Sequence, residues 1–150
     1  MIMEQLSPEL VTVDLPGTDK TSIMRALLDM LCRTGKVRDP DLAWRELLER
    51  ETEMSTGMEN GVAIPHNKTD AVDEMIACVG VSRRKINFES LDRKPSRIFV
   101  MTLSPKDATG PHIRFLADIG RLLRDAQLRK QILKAKTDQQ LYDILTQSAA

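Results

Sequence analysis

The chain contains two histidines, His66 and His112, and both stand at positions suited to chemistry. His66 follows the apolar run Val62-Ala63-Ile64 and then Pro65, so it projects from the end of a short predicted strand, where loops build sites. The loop before it, Ser55-Thr56-Gly57-Met58-Glu59-Asn60-Gly61, offers hydroxyls and backbone amides that suit an oxyanion. Arg50, at the end of the preceding predicted helix, is a guanidinium partner for a phosphate. His112 follows Gly110-Pro111 in the first turn of another predicted helix. Free N–H groups and the positive end of the dipole lie there, which attracts an anion and opposes protonation of an imidazole. That combination suits a neutral histidine donating a hydrogen bond to an anion. On spacing alone, a histidine after a proline is usually a plain loop residue, and His112 is equally compatible with an exposed first-turn residue.

Other chemistries fit less well. Zinc needs about three protein ligands at workable spacing, and two distant histidines do not supply them. Neither Cys32 nor Cys78 has a nearby Cys or His, and each sits in an apolar stretch, so both read as small hydrophobes of a reduced, cytoplasmic protein. A Ser-His-Asp triad stays open, although no Gly-x-Ser-x-Gly elbow occurs. No Gly-x-x-x-x-Gly-Lys phosphate loop occurs either. Twenty-two basic residues balance 22 acidic ones, and aromatic residues make up 3%, which argues against nucleic acid held by phosphate contacts or base stacking. No apolar run approaches a membrane span. Residues 1–6 carry Glu4 and no apolar core, so no signal peptide is expected.

The elements that must position these residues follow from periodicity and caps. A strand is predicted over 10–15, ended by Pro16-Gly17. A helix over 19–34 places Ile23, Leu27, Met30 and Leu31 on one face and stops at Gly35. Asp39-Pro40 opens a second helix that runs to about Glu51, with Leu42, Leu47 and Leu48 on its apolar side. Strands are predicted over 62–64, 75–81, 86–88 and 97–103. The last third reads as helices. One runs over 110–124 with Ile113, Leu116, Ile119 and Leu123 inward, one over 126–135 is capped by Asp125, and one follows a Thr137/Gln140 capping box. The order implies an α/β fold, a mixed β-sheet flanked by helices on both faces, in a single domain over 1–150.

These residues also resemble a known family. Leu47-Leu48-Glu49-Arg50-Glu51, Ser55-Thr56-Gly57 and Gly61-Val62-Ala63-Ile64-Pro65-His66 are similar to the phosphorylation-site signature of enzyme IIA domains, fructose/mannitol type, of the bacterial sugar phosphotransferase system. Ala108-Thr109-Gly110-Pro111-His112-Ile113, the helix after it and Leu141-Tyr142-Asp143-Ile144-Leu145 extend the resemblance to nearly the whole chain. It implies a phosphocarrier. His66 would be the phosphohistidine nucleophile, Arg50 and His112 would stabilise the phosphoryl group, and Ser55 and Thr56 would bind phosphate. The donor would be HPr or an HPr-like protein, and the recipient an enzyme IIB or a regulatory target, with no metal and no cofactor. A labile N–P bond on a nucleophile uncharged near neutral pH suits such a carrier. The sequence departs from the usual pattern at Met58-Glu59-Asn60 and at Asn67-Lys68, which leaves the donor preference open. The length resembles that of the free-standing nitrogen-regulatory enzyme IIA proteins. A sugar-specific enzyme IIA, and a binding module without phosphotransfer, are the alternatives.

Overall fold

The computed structural model describes residues 6–107 and 109–149. Residues 1–5, which carry most of the signal-peptide reading, and Ala108 of the second motif lie outside them.

A five-stranded mixed sheet forms the centre, in the order β1 (Val11–Thr12), β4 (Ile76–Ile86), β5 (Ser96–Ser104) and β2 (Val62–Ala63), with β3 (His66–Lys68) also pairing to β5. The central β4 and β5 are antiparallel, while β1, β2 and β3 join the sheet in parallel. Alternation along these strands sends residues to two separate cores. Ala63, Cys78, Phe99 and Met101 pack under α1 (Lys20–Cys32) and α2 (Pro40–Glu53). Val62, Ile64, Val79, Ile98 and Val100 pack under α3 (Thr109–Leu123), α4 (Ala126–Lys134) and α5 (Asp138–Ala149). The mixed sheet covered on both faces agrees with the sequence reading.

Helix starts follow the sequence closely. Asp19 and Ser22 form a reciprocal capping box at α1, and Asp39 accepts from the Leu42 amide with Pro40 in the first turn of α2. Gly35 supplies the left-handed residue after α1, at φ 77°. Thr137 accepts from the Gln140 amide, but the Gln140 side chain reaches the Lys136 amide, one residue outside a closed box.

Three expectations are corrected. The first strand is short because the Val13 amide turns to the Asp138 carboxylate, and pairing resumes only where the Leu15 amide reaches the Val81 carbonyl. Residues 86–88 form no separate strand: β4 runs on to Ile86 through a register shift between Val81 and Ile86. Ile113 is 59% exposed, not inward. The buried stripe of α3 is His112, Phe115, Ile119 and Leu123, one residue out of phase with the expectation at its start.

Candidate phosphoryl-transfer site

The edge strand is built in two halves. Val62 lies opposite Ile98, Ala63 opposite Phe99 and His66 opposite Thr102, so the register is unchanged across the gap. The interruption is Pro65, which has no N–H to give and is tolerated on an edge. Its carbonyl still accepts from Thr102, at 3.1 Å. The Ile64 amide turns away to the Thr56 carbonyl, at 3.0 Å. His66 is therefore the first residue of β3, held in the sheet, where the sequence suggested a loop.

This break also orients the imidazole. Nδ1 of His66 lies 2.7 Å from the Ile64 carbonyl oxygen. A carbonyl only accepts, so the ring donates from Nδ1–H and its lone pair sits on Nε2.

One face of the sheet changes character at this end. Along the edge strand Val62 and Ile64 give way to His66 and Lys68, and along β5 Ile98 and Val100 give way to Thr102 and Ser104. The two strands are parallel, so the polar ends coincide. They form the carboxyl end of the sheet, where open α/β folds bind ligands. The chain leaves β5 there and enters α3, whose first turns bring His112 onto the same patch.

The His66 and His112 ring centroids are 5.8 Å apart, with planes inclined at 50°. His112 is 4% exposed, and its Nδ1 is buried without a hydrogen-bond partner among the described residues. Burial, followed by the charges of His66 and Lys68, pushes its pKa down to about 4 from 6.5. The ring is neutral at pH 7 mainly because it is buried, rather than through the helix dipole that the sequence emphasised. Thr102 Oγ1 and Asn67 Nδ2 are likewise buried and unpartnered. His112 and Thr102 share the face of His66, and such orphaned polar atoms mark a site whose ligand satisfies them, whereas Asn67 alternates to the other face of the sheet.

Arg50 occupies the last turn of α2. That helix runs antiparallel to the edge strand. The Arg38 amide before it bonds the Ala71 carbonyl, Glu46 accepts from Thr69, and Glu51 holds Thr56, the partner of Ile64. Arg50 falls between Glu46 and Glu51, in the stretch of helix tied to this edge of the sheet. It lies on the face opposite the two imidazoles, and its long side chain has to pass the sheet edge to reach them.

Ser55 and Thr56 have their polar groups engaged within the protein. The Ser55 hydroxyl donates to the Phe88 carbonyl and accepts from the Gly57 amide. Both the Thr56 amide and its hydroxyl are held by Glu51. These side chains fix the loop and leave no free hydroxyl for a phosphate. Gly57 allows the loop to seat, because a Cβ there would come within 2.5 Å of Ser90 Oγ.

The sequence names Glu51 and Lys68 only as parts of motifs, and Thr102 not at all. The alternation His66-x-Lys68 signals a shared face. Nothing local announces Thr102, which only strand pairing brings beside His66.

The family model for the phosphoenolpyruvate-dependent sugar phosphotransferase system, EIIA 2, matches residues 4–148. The chain belongs to this family. It is 34% identical over 139 residues to a fructose-specific EIIA component of Haloferax volcanii, covering 93% of this chain and 90% of that protein. It is 30% identical over 146 residues to a nitrogen regulatory protein of Bradyrhizobium diazoefficiens, covering 96% and 94%. Its fold matches the crystal structure of nitrogen regulatory protein IIA-Ntr from Neisseria meningitidis with a TM-score of 0.88, at 24% identity over 96% of this chain and 98% of that one. As an enzyme IIA, the chain is a phosphotransfer protein.

Proposed function

We propose that this enzyme IIA carries its phosphoryl group on Nε2 of His66. The observation that carries this reading is the 2.7 Å contact from His66 Nδ1 to the Ile64 carbonyl, which directs the lone pair to Nε2 beside a buried neutral His112. Nε2 attacks the phosphorus of a phosphorylated HPr-like donor. An N–P bond forms at His66, and the donor's bond to phosphorus breaks with its electron pair returning to the donor. Positive charge develops on the His66 ring as the new bond forms, and the Nδ1–H···O=C contact stabilises it. His112 and Arg50 stabilise the phosphoryl oxygens, which bear much of the transition-state charge. Ser55 and Thr56 contribute by fixing the loop. The family's resemblance supplies the donor class, and the setting is the cytoplasm.

A protein partner is supported by apolar surface beside the site and along the edge strand that leads to it. Ile113, next to His112, is 59% exposed, and Met58 and Leu91 line a groove of about 380 Å³ with Val62 and Ile64. The recipient is a regulatory target of the nitrogen type, in line with the full-length match to a nitrogen regulatory protein. A second reading, transfer to a fructose-type enzyme IIB, is favoured by the 34% identity to the fructose-specific EIIA. Incubation with a phosphoenolpyruvate-driven donor mixture and a fructose-type IIB tests both. Label that stops on this chain supports regulation, label that passes to IIB supports transport, and no label on His66 overturns the carrier.

A further inference from the structure

We infer that Glu51 is a positioning residue for His66, acting through a latch that runs from Lys20 through Glu51 and Thr56 to Ile64. The inference rests on the reading of His66 as phosphoryl acceptor. Glu51 is 8% exposed at the end of α2. Its Oε1 accepts from the Thr56 amide at 2.9 Å and from the Thr56 hydroxyl, and its Oε2 pairs with Lys20 Nζ at 2.7 Å. Lys20 reaches in from the first residue of α1 and lies over the Phe88 ring, 5.0 Å from its centroid. The Thr56 carbonyl in turn receives the Ile64 amide at 3.0 Å, and the Ile64 carbonyl receives His66 Nδ1 at 2.7 Å.

The placement of Glu51 runs against the needs of its own helix. A carboxylate in the last turn faces the negative end of the dipole and is disfavoured there. Burying a carboxylate is also unfavourable unless charge and hydrogen bonds compensate it. Both penalties are met here by Lys20 and by the two donors of Thr56, so the carboxylate serves the contact beyond the helix. That contact fixes Thr56 and through it Ile64, whose carbonyl holds the His66 tautomer. The same carboxylate anchors the last turn of α2 and therefore the base of Arg50.

The test uses the full chain and reads the histidine directly. Wild type, Glu51→Ala, Glu51→Gln, Thr56→Val and a distant core control, Leu145→Ala, are compared by ¹⁵N NMR of the imidazoles above the histidine titration range. Ile64 amide exchange and single-turnover phosphorylation are measured alongside. Wild type should show His66 protonated at Nδ1. In Glu51→Ala the Nε2–H tautomer should appear, Ile64 exchange should rise about tenfold, and phosphorylation should slow about tenfold, the scale of one lost hydrogen bond. Glu51→Gln keeps an acceptor for Thr56 and should restore most of the wild-type tautomer. Thr56→Val, which tests the latch should Glu51→Ala fail to fold, should shift it partway. Leu145→Ala should lose stability and leave the tautomer alone. A wild-type tautomer and wild-type Ile64 exchange in folded Glu51→Ala, or in Thr56→Val, overturn the latch. A tautomer that moves with Glu51 in a protein that takes no phosphoryl group upholds the latch and overturns the carrier reading.

Discussion

His112 stands with its ring centroid 5.8 Å from that of His66, buried in the stripe that α3 lays against the sheet. The pair joins an edge-strand residue to a helix that begins only after β5. It places an imidazole held neutral by burial beside one whose lone pair is aimed by a backbone carbonyl.

His112 makes stability depend on pH. Its pKa is about 4 in the folded chain, against about 6.5 unfolded, so the unfolded state takes up the proton first as pH falls. The contribution is fully present above about pH 6.5, declines between about 6.5 and about 4, and is gone below that. Denaturant unfolding of wild type and His112→Gln at several pH values should show wild type losing stability relative to the variant as pH falls through that window. A difference independent of pH would mean that His112 titrates normally.

Phosphorylation should reverse part of that depression. A phosphoryl group on His66 brings close to two negative charges beside the His112 ring, which favours its protonated form. NMR titration should find the His112 pKa higher in the phosphorylated protein than in the free one. Unchanged titration would place the phosphoryl group away from His112.

Replacement of His112 should cost both rate and stability. Loss of one donor to the phosphoryl oxygens is worth on the order of 10²–10³ in rate. Because the side chain is buried, His112→Ala should also lower stability by about 1–3 kcal/mol, which a simple first-turn residue would not do. Rapid-quench transfer assays and urea melts check the two effects separately. His66→Ala should abolish acid-labile phosphate with little change in the melt.

For Arg50, the planar fork should matter more than the charge. Arg50→Lys should slow phosphorylation about ten- to hundredfold, corresponding to about 1.5–3 kcal/mol for a charge-assisted hydrogen bond. Wild-type kinetics in that variant would confine Arg50 to a structural role at the end of α2.

The two cysteines should differ sharply in reactivity. Burial pushes the Cys78 thiol up to about 12, and the half-buried Cys32 is raised by burial and by Asp29. Alkylation of the native protein at pH 8 should label Cys32 slowly and leave Cys78 untouched until the chain unfolds. Peptide mapping by mass spectrometry reads this directly.

Much of the architecture was already legible in short stretches of chain. Asp19 with Ser22, Asp39 with Pro40, and Gly35 mark helix ends through contacts within four residues, so their types alone were informative. Apolar runs bounded by turn residues marked most of the strands, and the Ala-Ile-Pro-His run with its upstream Arg-Glu and Ser-Thr-Gly pointed to His66 and its family. What depended on distant partners was not legible. Periodicity set the stripe of α3 but not its phase. His112, not Ile113, turns inward because strand pairing gathers Thr102, His66 and Lys68 into a polar end of the sheet that an imidazole can face. The strand over 10–15 was cut short by a carboxylate from α5. The hydroxyls of Ser55 and Thr56 suit a phosphate by type, but the Phe88 carbonyl and the buried Glu51 engage them. A side chain's type is written in the sequence, but its tautomer, its pKa and the partners of its polar atoms are set by groups that only folding brings within a few ångströms.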